Sequence, residues 1–352
     1  MKEVEFSSIL IGPLHNKKVV LEEIDIDIYE EILDLSDRFL MPNQIINNLL
    51  YDKEILNPLI EGLKKQSNIS NLKTLINQKE SLKIAKIFNE SSIDYVFLKG
   101  AAINLMNDDY IRHSRDIDIL VTKECLSESY ELLKKIGYKY LNPLVSDCSS
   151  FTKQSHHLPI LSNQHGGIVE LHHRITEVEI YKDCPLKTSM LHGSKIVKKN
   201  GIDIKVCDLS HLIAHITYHA ALHHKYDFGP LFFYDIRYLK EMVKDKSDLK
   251  RLLSNLNLRD EYKKIEVYID SKNTLDAFGI YEKSNNRKKL KTNPKRFSQL
   301  IFTKEGRYDF YKIILRKLTK NEDYYQTSKF SVKFYFILLV ELKDHILRLL
   351  KD

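Results

Sequence analysis

Tryptophan is absent from the 352 residues, and cysteine, proline and glycine are sparse at 4, 8 and 11. Each shortage excludes something. The cysteines, Cys125, Cys148, Cys184 and Cys207, are widely separated and form no CxxC pair. Neither a disulfide framework nor a cysteine-based zinc ribbon fits that spacing, and they read as reduced thiols of a cytoplasmic protein. So little glycine and proline argues against a low-complexity or collagen-like chain. Long apolar runs are missing too. The strongest, residues 334–340, falls far short of the roughly 20 residues a spanning helix needs. Gly12 and Pro13 break the one apolar stretch near the N-terminus, so no signal peptide is expected. Walker-type loops, GxSxG elbows and paired Cys–His nucleophile motifs are also lacking.

Neither sign of charge dominates. Against 48 Asp and Glu stand 55 Lys and Arg, a net +7; such a mild excess suits an anionic partner such as a nucleotide or RNA without requiring one. With 43% apolar and 29% charged residues, the chain has the balance of a soluble globular protein with a proper core.

Three regions separate by pattern. Residues 1–70 mix apolar and polar positions at helical spacing and read as an N-terminal helical region. Residues 71–207 alternate between the two periods, as an α/β core does. There, 71–89 reads as an amphipathic helix and 95–98 as a strand ending at Lys99-Gly100. A short helix over 101–107 leads to a strand over 116–121, then a helix over 127–136 with Gly137 in the C-cap position. A hairpin joins 158–161 to 168–171 across 164–167. A second turns at Asn200-Gly201, the dipeptide that most strongly signals a hairpin. Residues 208–352 read as a C-terminal helical domain, including a long helix over 331–350. Between its helices, residues 283–296 carry seven Lys or Arg and no acid. Pro294 there argues for an exposed loop, and no aromatic residues interleave to stack bases.

The chemistry concentrates in DIDIL. In a strand, residues i and i+2 share a face, so Asp116 and Asp118 present two carboxylates while Ile117 and Ile119 pack behind. Adjacent like charges raise one pKa unless a cation sits between them. A divalent metal resolves the conflict, and oxygen ligands favour Mg2+ or Mn2+. An isolated Asp-x-Asp is commonly a solvated edge. Here, however, a strand–glycine turn–helix precedes it, and amides at a helix N-terminus suit phosphate. Phosphoryl transfer needs that layout: a turn to hold the phosphates beside a metal-binding strand. Glu170, in the later IVEL strand, is the third carboxylate, placed to bind metal and to help deprotonate an attacking hydroxyl. His172, two residues on, points to the same face as a phosphate contact or proton carrier.

LKGAAINLMNDDYIRHSRDIDILV followed by VELHHRI resembles the uncharacterised nucleotidyltransferase family of the DNA polymerase β-like superfamily, over roughly the central half of the chain. The resemblance implies a mixed-sheet α/β core with helical regions closing the cleft. It also implies metal-dependent transfer of a nucleoside monophosphate from an NTP, ATP being the expected donor, to an acceptor. Asp116, Asp118 and Glu170 would be catalytic and metal-binding. Many superfamily members place Ser after the glycine. Ala101 stands there, so the Gly100 and Ala101 amides with Lys99 and Arg115 would grip the triphosphate.

Eleven of the fourteen histidines fall between His156 and His224. His211, His215, His219 and His223 recur every four residues and form a slowly turning helical stripe. HxxxH can bind zinc, but no HExxH or flanking cysteine completes such a motif. His219, His223 and Asp235 are instead expected to line the nucleotide cleft. The acceptor stays open: small molecule, peptide, protein or RNA. Two other functions are compatible with the residues, a glycosyltransferase-like use of a nucleotide sugar and a degenerate nucleotide- or partner-binding module, for which Ala101 is the hint.

Overall fold

A computed structural model describes residues 9–10, 14, 18–52, 56–107, 111–141, 156–175, 185–223, 226 and 229–270. The helix expected over 331–350 and the basic loop over 283–296 lie outside these residues.

The core is a seven-stranded mixed sheet in the order β5-β6-β7-β4-β3-β9-β8. Its strands are β3 (Tyr95–Phe97), β4 (Ile117–Val121), β5 (Lys139–Tyr140), β6 (Leu161–Ser162), β7 (Ile168–His172), β8 (Lys195–Lys199) and β9 (Ile202–Val206). Every residue of β3 and β4 is buried. Central strands covered on both faces are apolar for that reason. β3 runs antiparallel to β4 and parallel to β9, whereas β4 runs parallel to β7. A separate parallel pair, β1 (Val19–Val20) and β2 (Leu49–Leu50), ties the N-terminal segments together.

Turn chemistry places the hairpins. Asn200 and Gly201 both have positive φ, 50° and 77°, the left-handed pair that a tight β8–β9 turn requires. The β6–β7 hairpin turns through Asn163, whose backbone amide donates to Gly167 O at 3.0 Å. Leu158 N donates to Leu171 O at 2.9 Å, and His157 bridges His172. The pairing thus extends to the residues beside Glu170.

Helices flank the sheet: α1 (Tyr29–Phe39), α2 (Pro42–Asn48), α3 (Pro58–Glu90), α4 (Lys99–Met106) and α5 (Leu126–Lys135) come first. α6 (Pro185–His192), α7 (Leu209–Tyr218), α8 (Leu231–Met242), α9 (Lys246–Asn255) and α10 (Arg259–Asp270) follow. α3 packs on β9, α4 and α5 from one end and receives α1 and α2 at the other. It is one helix of 33 residues, N-capped by Asn57, whose side chain accepts from Leu59 N at 2.9 Å. The helix expected over 71–89 is therefore its second half, and the division at residue 70 falls inside a continuous element.

The cause is an inverted face. Between residues 67 and 81 the buried positions are Ser67, Ser70, Thr74, Asn77, Glu80 and Ser81, while Ile69, Leu72 and Leu75 are exposed. Apolar periodicity over that stretch therefore reports the solvent side. A second departure concerns α7, which ends at Tyr218 and continues as a π-helical turn over His219–His223. The four-residue histidine spacing thus does not describe one uniform α-helix.

Candidate active site

Strand alternation and strand pairing together build the site. Ile117 and Ile119 are fully buried on one face of β4, and Asp118 is buried on the other. Asp116 stands just before the first residue of β4 and is half-buried. Parallel pairing sets Asp118 opposite Glu170 and Leu120 opposite His172. Because side chains alternate, Glu170 and His172 share a face of β7. His172 Nε2 lies 2.8 Å from Asp118 Oδ1 and 3.5 Å from Glu170 Oε2.

Lys99 closes the cluster from the neighbouring strand–helix junction. Leu98 N donates to Asp118 O at 3.0 Å, which anchors the end of β3 against β4. The next residue, Lys99, takes a positive φ of 44° and brings Nζ to 2.8 Å from Asp118 Oδ1. A non-glycine residue in that region is strained, by about 1–3 kcal/mol, and persists where its surroundings fix it. Here the fixing contact is an ion pair with both side chains largely buried, 17% and 4% exposed.

Charge regulation follows from this packing. Burial drives the carboxyl of Asp118 upward, yet Lys99 and His172 override it and hold the pKa well below the ordinary carboxylate value. Asp116, without such direct partners, is pushed up to about 7 by burial and by the charges of Asp118 and Glu170. Burial pulls Lys99 and His172 down, but the surrounding carboxylates raise both. One carboxylate is thus firmly ionised and its neighbour is poised, as expected for crowded like charges.

Among the described residues, one group of side chains converges as a metal ligand set: Asp118, Glu170 and His172, with one ligand atom each, all within 4.8 Å of one another. Two carboxylate oxygens and an imidazole nitrogen suit a divalent cation. Sequence reasoning proposed Asp116, Asp118 and Glu170. In the convergent set His172 takes the third place, and Asp116 lies beside it. The histidine stripe of α7 gives no such convergent set among the described residues.

The glycine turn lies next to this cluster. Gly100 and Ala101 occupy the first turn of α4 and are buried. A Cβ on Gly100 would stand 2.8 Å from Arg112 Nη1 and 2.9 Å from Ser114 Cβ. The glycine is therefore required by close packing, with ordinary φ. Asn104 clamps the backbone of Arg112, its Oδ1 accepting from Arg112 N at 2.9 Å and its Nδ2 donating to Arg112 O at 2.8 Å.

Two arginines flank the segment that leads into β4. Arg115 is exposed and donates from Nη2 to Asp37 O at 3.1 Å. Arg112 packs on Gly100, acts on the charge of Asp116, and donates from Nε to Asp235 Oδ2 at 3.2 Å. Sequence reasoning missed Arg112, because residues 111–116 are neither helix nor strand and no periodicity assigns their faces. Asp235 sits on α8, 2% exposed. The Arg112 pair therefore bridges the glycine turn and the C-terminal helices.

A chain of histidine rings adjoins His172. His156 has ring contacts with His157, His172 and His223 at centroid distances of 4.5, 5.2 and 5.7 Å. His219 and His223 stack at 5.1 Å, so both belong to this chain of rings, and His223 reaches its His156 end. Buried His215 is held down to about 3, chiefly by desolvation and then by the charge of Lys99 and His172. His156 and His157, which sequence reasoning did not select, are likewise shifted downward by burial first and then by His172.

With this geometry established, comparison with known proteins decides the family. The model of the uncharacterised nucleotidyltransferase family matches residues 47–263, more than half of the chain. The chain belongs to this family. It is a nucleotidyltransferase. Among solved structures it is similar to an antigenic nucleotidyltransferase-like protein from Paracoccidioides brasiliensis, at 16% identity and TM-score 0.35, over 56% of this chain and 93% of that one. It is also similar to ANT(2'')-Ia in complex with adenylyl-2''-tobramycin, at 13% identity and TM-score 0.35, over 55% and 99%. No curated protein matches the chain. No helix of the described residues is long and apolar enough to cross a membrane.

Proposed function

We propose that this nucleotidyltransferase transfers a nucleoside monophosphate from an NTP, with ATP as the preferred donor, to an acceptor hydroxyl. Mg2+ or Mn2+ would be held by Asp118, Glu170 and His172. The convergence of these three side chains across one parallel strand pair carries the reading. A bound divalent cation there supplies positive charge to the triphosphate oxygens.

The protein's own groups do the rest. Lys99 and Arg112 face the glycine turn and the aspartates, so they offset the charge of the departing pyrophosphate. Amides in the first turn of α4, at Gly100 and Ala101, offer donors to phosphate without a serine hydroxyl. The acceptor oxygen attacks the α-phosphorus in line, the bond to pyrophosphate breaks, and the hydroxyl proton passes to a carboxylate, the role this reading gives to Glu170. Asp116, its carboxyl raised by burial and by the neighbouring acids, lies beside the ligand set. His219 and His223 fit an acceptor- or base-facing wall.

Pyrophosphate release from NTPs and depletion of sugar nucleotides, with Mg2+ or Mn2+ and an acceptor-rich metabolite extract, tests the proposal. NTP-dependent pyrophosphate release by the parent protein is expected. Asp118→Asn should abolish it and weaken Mn2+ binding seen by electron paramagnetic resonance, while far-UV circular dichroism stays unchanged. Equal pyrophosphate release by Asp118→Asn, or depletion of sugar nucleotides in place of NTPs, would overturn the assignment.

A further inference from the structure

A cavity of about 1510 Å3 lies beyond the C-terminal ends of β4 and β7, walled by α6, the start of α7 and the α8–α9 connection. None of Asp116, Asp118, Glu170, His172 or Lys99 lines it. Single small-molecule sites usually occupy roughly 300–1,000 Å3, so there is ample room for a ligand with its water.

The lining is cationic. Among the described residues, Lys123, Arg174, Lys187, Lys195, Lys244 and Arg251 face three aspartates. Those aspartates are already engaged. Asp208 accepts from Ser210 N at 3.0 Å and pairs with His211 Nδ1 at 3.4 Å. Asp245 caps α9 through the amides of Ser247 and Asp248. Asp248 holds Arg251 at 2.6 Å.

Lys187 marks the centre of the excess. It is half-buried, and burial is the main reason its pKa falls below the ordinary lysine value. Glu124 opposes that shift, while the charges of Lys123 and Arg174 add to it. These three cations come from separate elements, the β4 end, the β7 end and α6, so the fold itself presses them together. Arg174 and Lys187 are half-buried and Lys123 is exposed beside them; like charges so placed repel, and a dianion between them reduces the repulsion. A phosphate group fits that demand, since lysines supply point charge and an arginine fork matches its oxygens. No aromatic residue lines the cavity among the described residues, which disfavours the base stacking used for single-stranded nucleic acid.

We propose that this cavity is a second anion site, separate from the transferase centre, that binds a phosphorylated small molecule through Lys123, Arg174 and Lys187.

Thermal unfolding in phosphate-free buffer containing EDTA tests it without any transferase activity. Inorganic phosphate and ribose 5-phosphate are added separately, with ribose as the neutral control. Both phosphates should raise Tm and ribose should not. Lys187→Met, which removes a repelled charge but keeps the stem, should shift the midpoint of the phosphate titration at least ten-fold to higher concentration. Lys99→Met, which removes the lysine cation of the transferase centre, should respond as the parent does. The proposal falls if the parent shows no phosphate response, or if Lys187→Met responds like the parent. It falls equally if Lys99→Met alone loses the response, because the anion would then occupy the transferase centre.

Discussion

Acidification from pH 7 to pH 4 strikes His113, in the segment that leads into β4. The imidazole is 1% exposed, with Nε2 2.8 Å from Asn71 Oδ1 and 3.3 Å from Asn43 Nδ2. Burial lowers its pKa to about 4; a backbone contact with Leu40 opposes the shift and Arg112 adds to it. In the unfolded chain the same group titrates near its ordinary value of 6.5. The unfolded state therefore takes the proton first. Stability contributed by neutral His113 is fully present above pH 6.5 and is lost as pH falls through the window down to 4. At roughly 1.36 kcal/mol per pKa unit, that loss is about 3 kcal/mol. Urea unfolding of the parent and of His113→Gln at pH 7.5, 6, 5 and 4 isolates the contribution, since the other buried histidines are common to both proteins. The stability difference between parent and variant should shift by about 3 kcal/mol across the window, in the direction that weakens the parent in acid. A difference that stays flat with pH would refute the argument.

Gly100→Ala should destabilise the protein by about 1–3 kcal/mol, the usual range for overpacking, because Ser114 Cβ cannot swing away from the added methyl. Chemical unfolding measures this, and an unchanged midpoint would show that the turn has slack. Asp235→Ala should cost about 3 kcal/mol by leaving the charge of Arg112 poorly matched in a largely buried place. Adding Arg112→Met to that variant should recover part of the loss in the same unfolding assay.

Legibility in the sequence depended on whether pattern and burial agree. At β4 they agree: Ile117 and Ile119 are buried and Asp118 emerges on the other face, so alternation alone set out the aspartates. Asn200-Gly201 was equally readable, because its positive φ values are a local property. Glu170 and His172 could be assigned to one face from spacing, but their meeting with Asp118 depends on β7 lying parallel to β4, and that pairing is long-range. Helix α3 defeats the method in the opposite way, since it buries Thr74, Asn77 and Glu80 and exposes Leu72 and Leu75. Its polar side is used: Glu80 accepts from Tyr138 at 3.1 Å and from Asn163 at 2.7 Å, and Asn77 donates to Ser114 O at 3.3 Å. Arg112 escaped notice because irregular backbone gives its side chain no predictable direction.

The opposed positions of Asp118 and Glu170 carry a last consequence. Their separation is a ladder spacing, about 4.8 Å between neighbouring strands, and owes nothing to the length of chain joining β4 to β7. Insertions in that connection leave the span between the two acids alone. Removing a single residue inside β7 ahead of Glu170 would instead rotate its carboxylate into the opposite layer of the sheet, deleting one ligand with no change of amino-acid type.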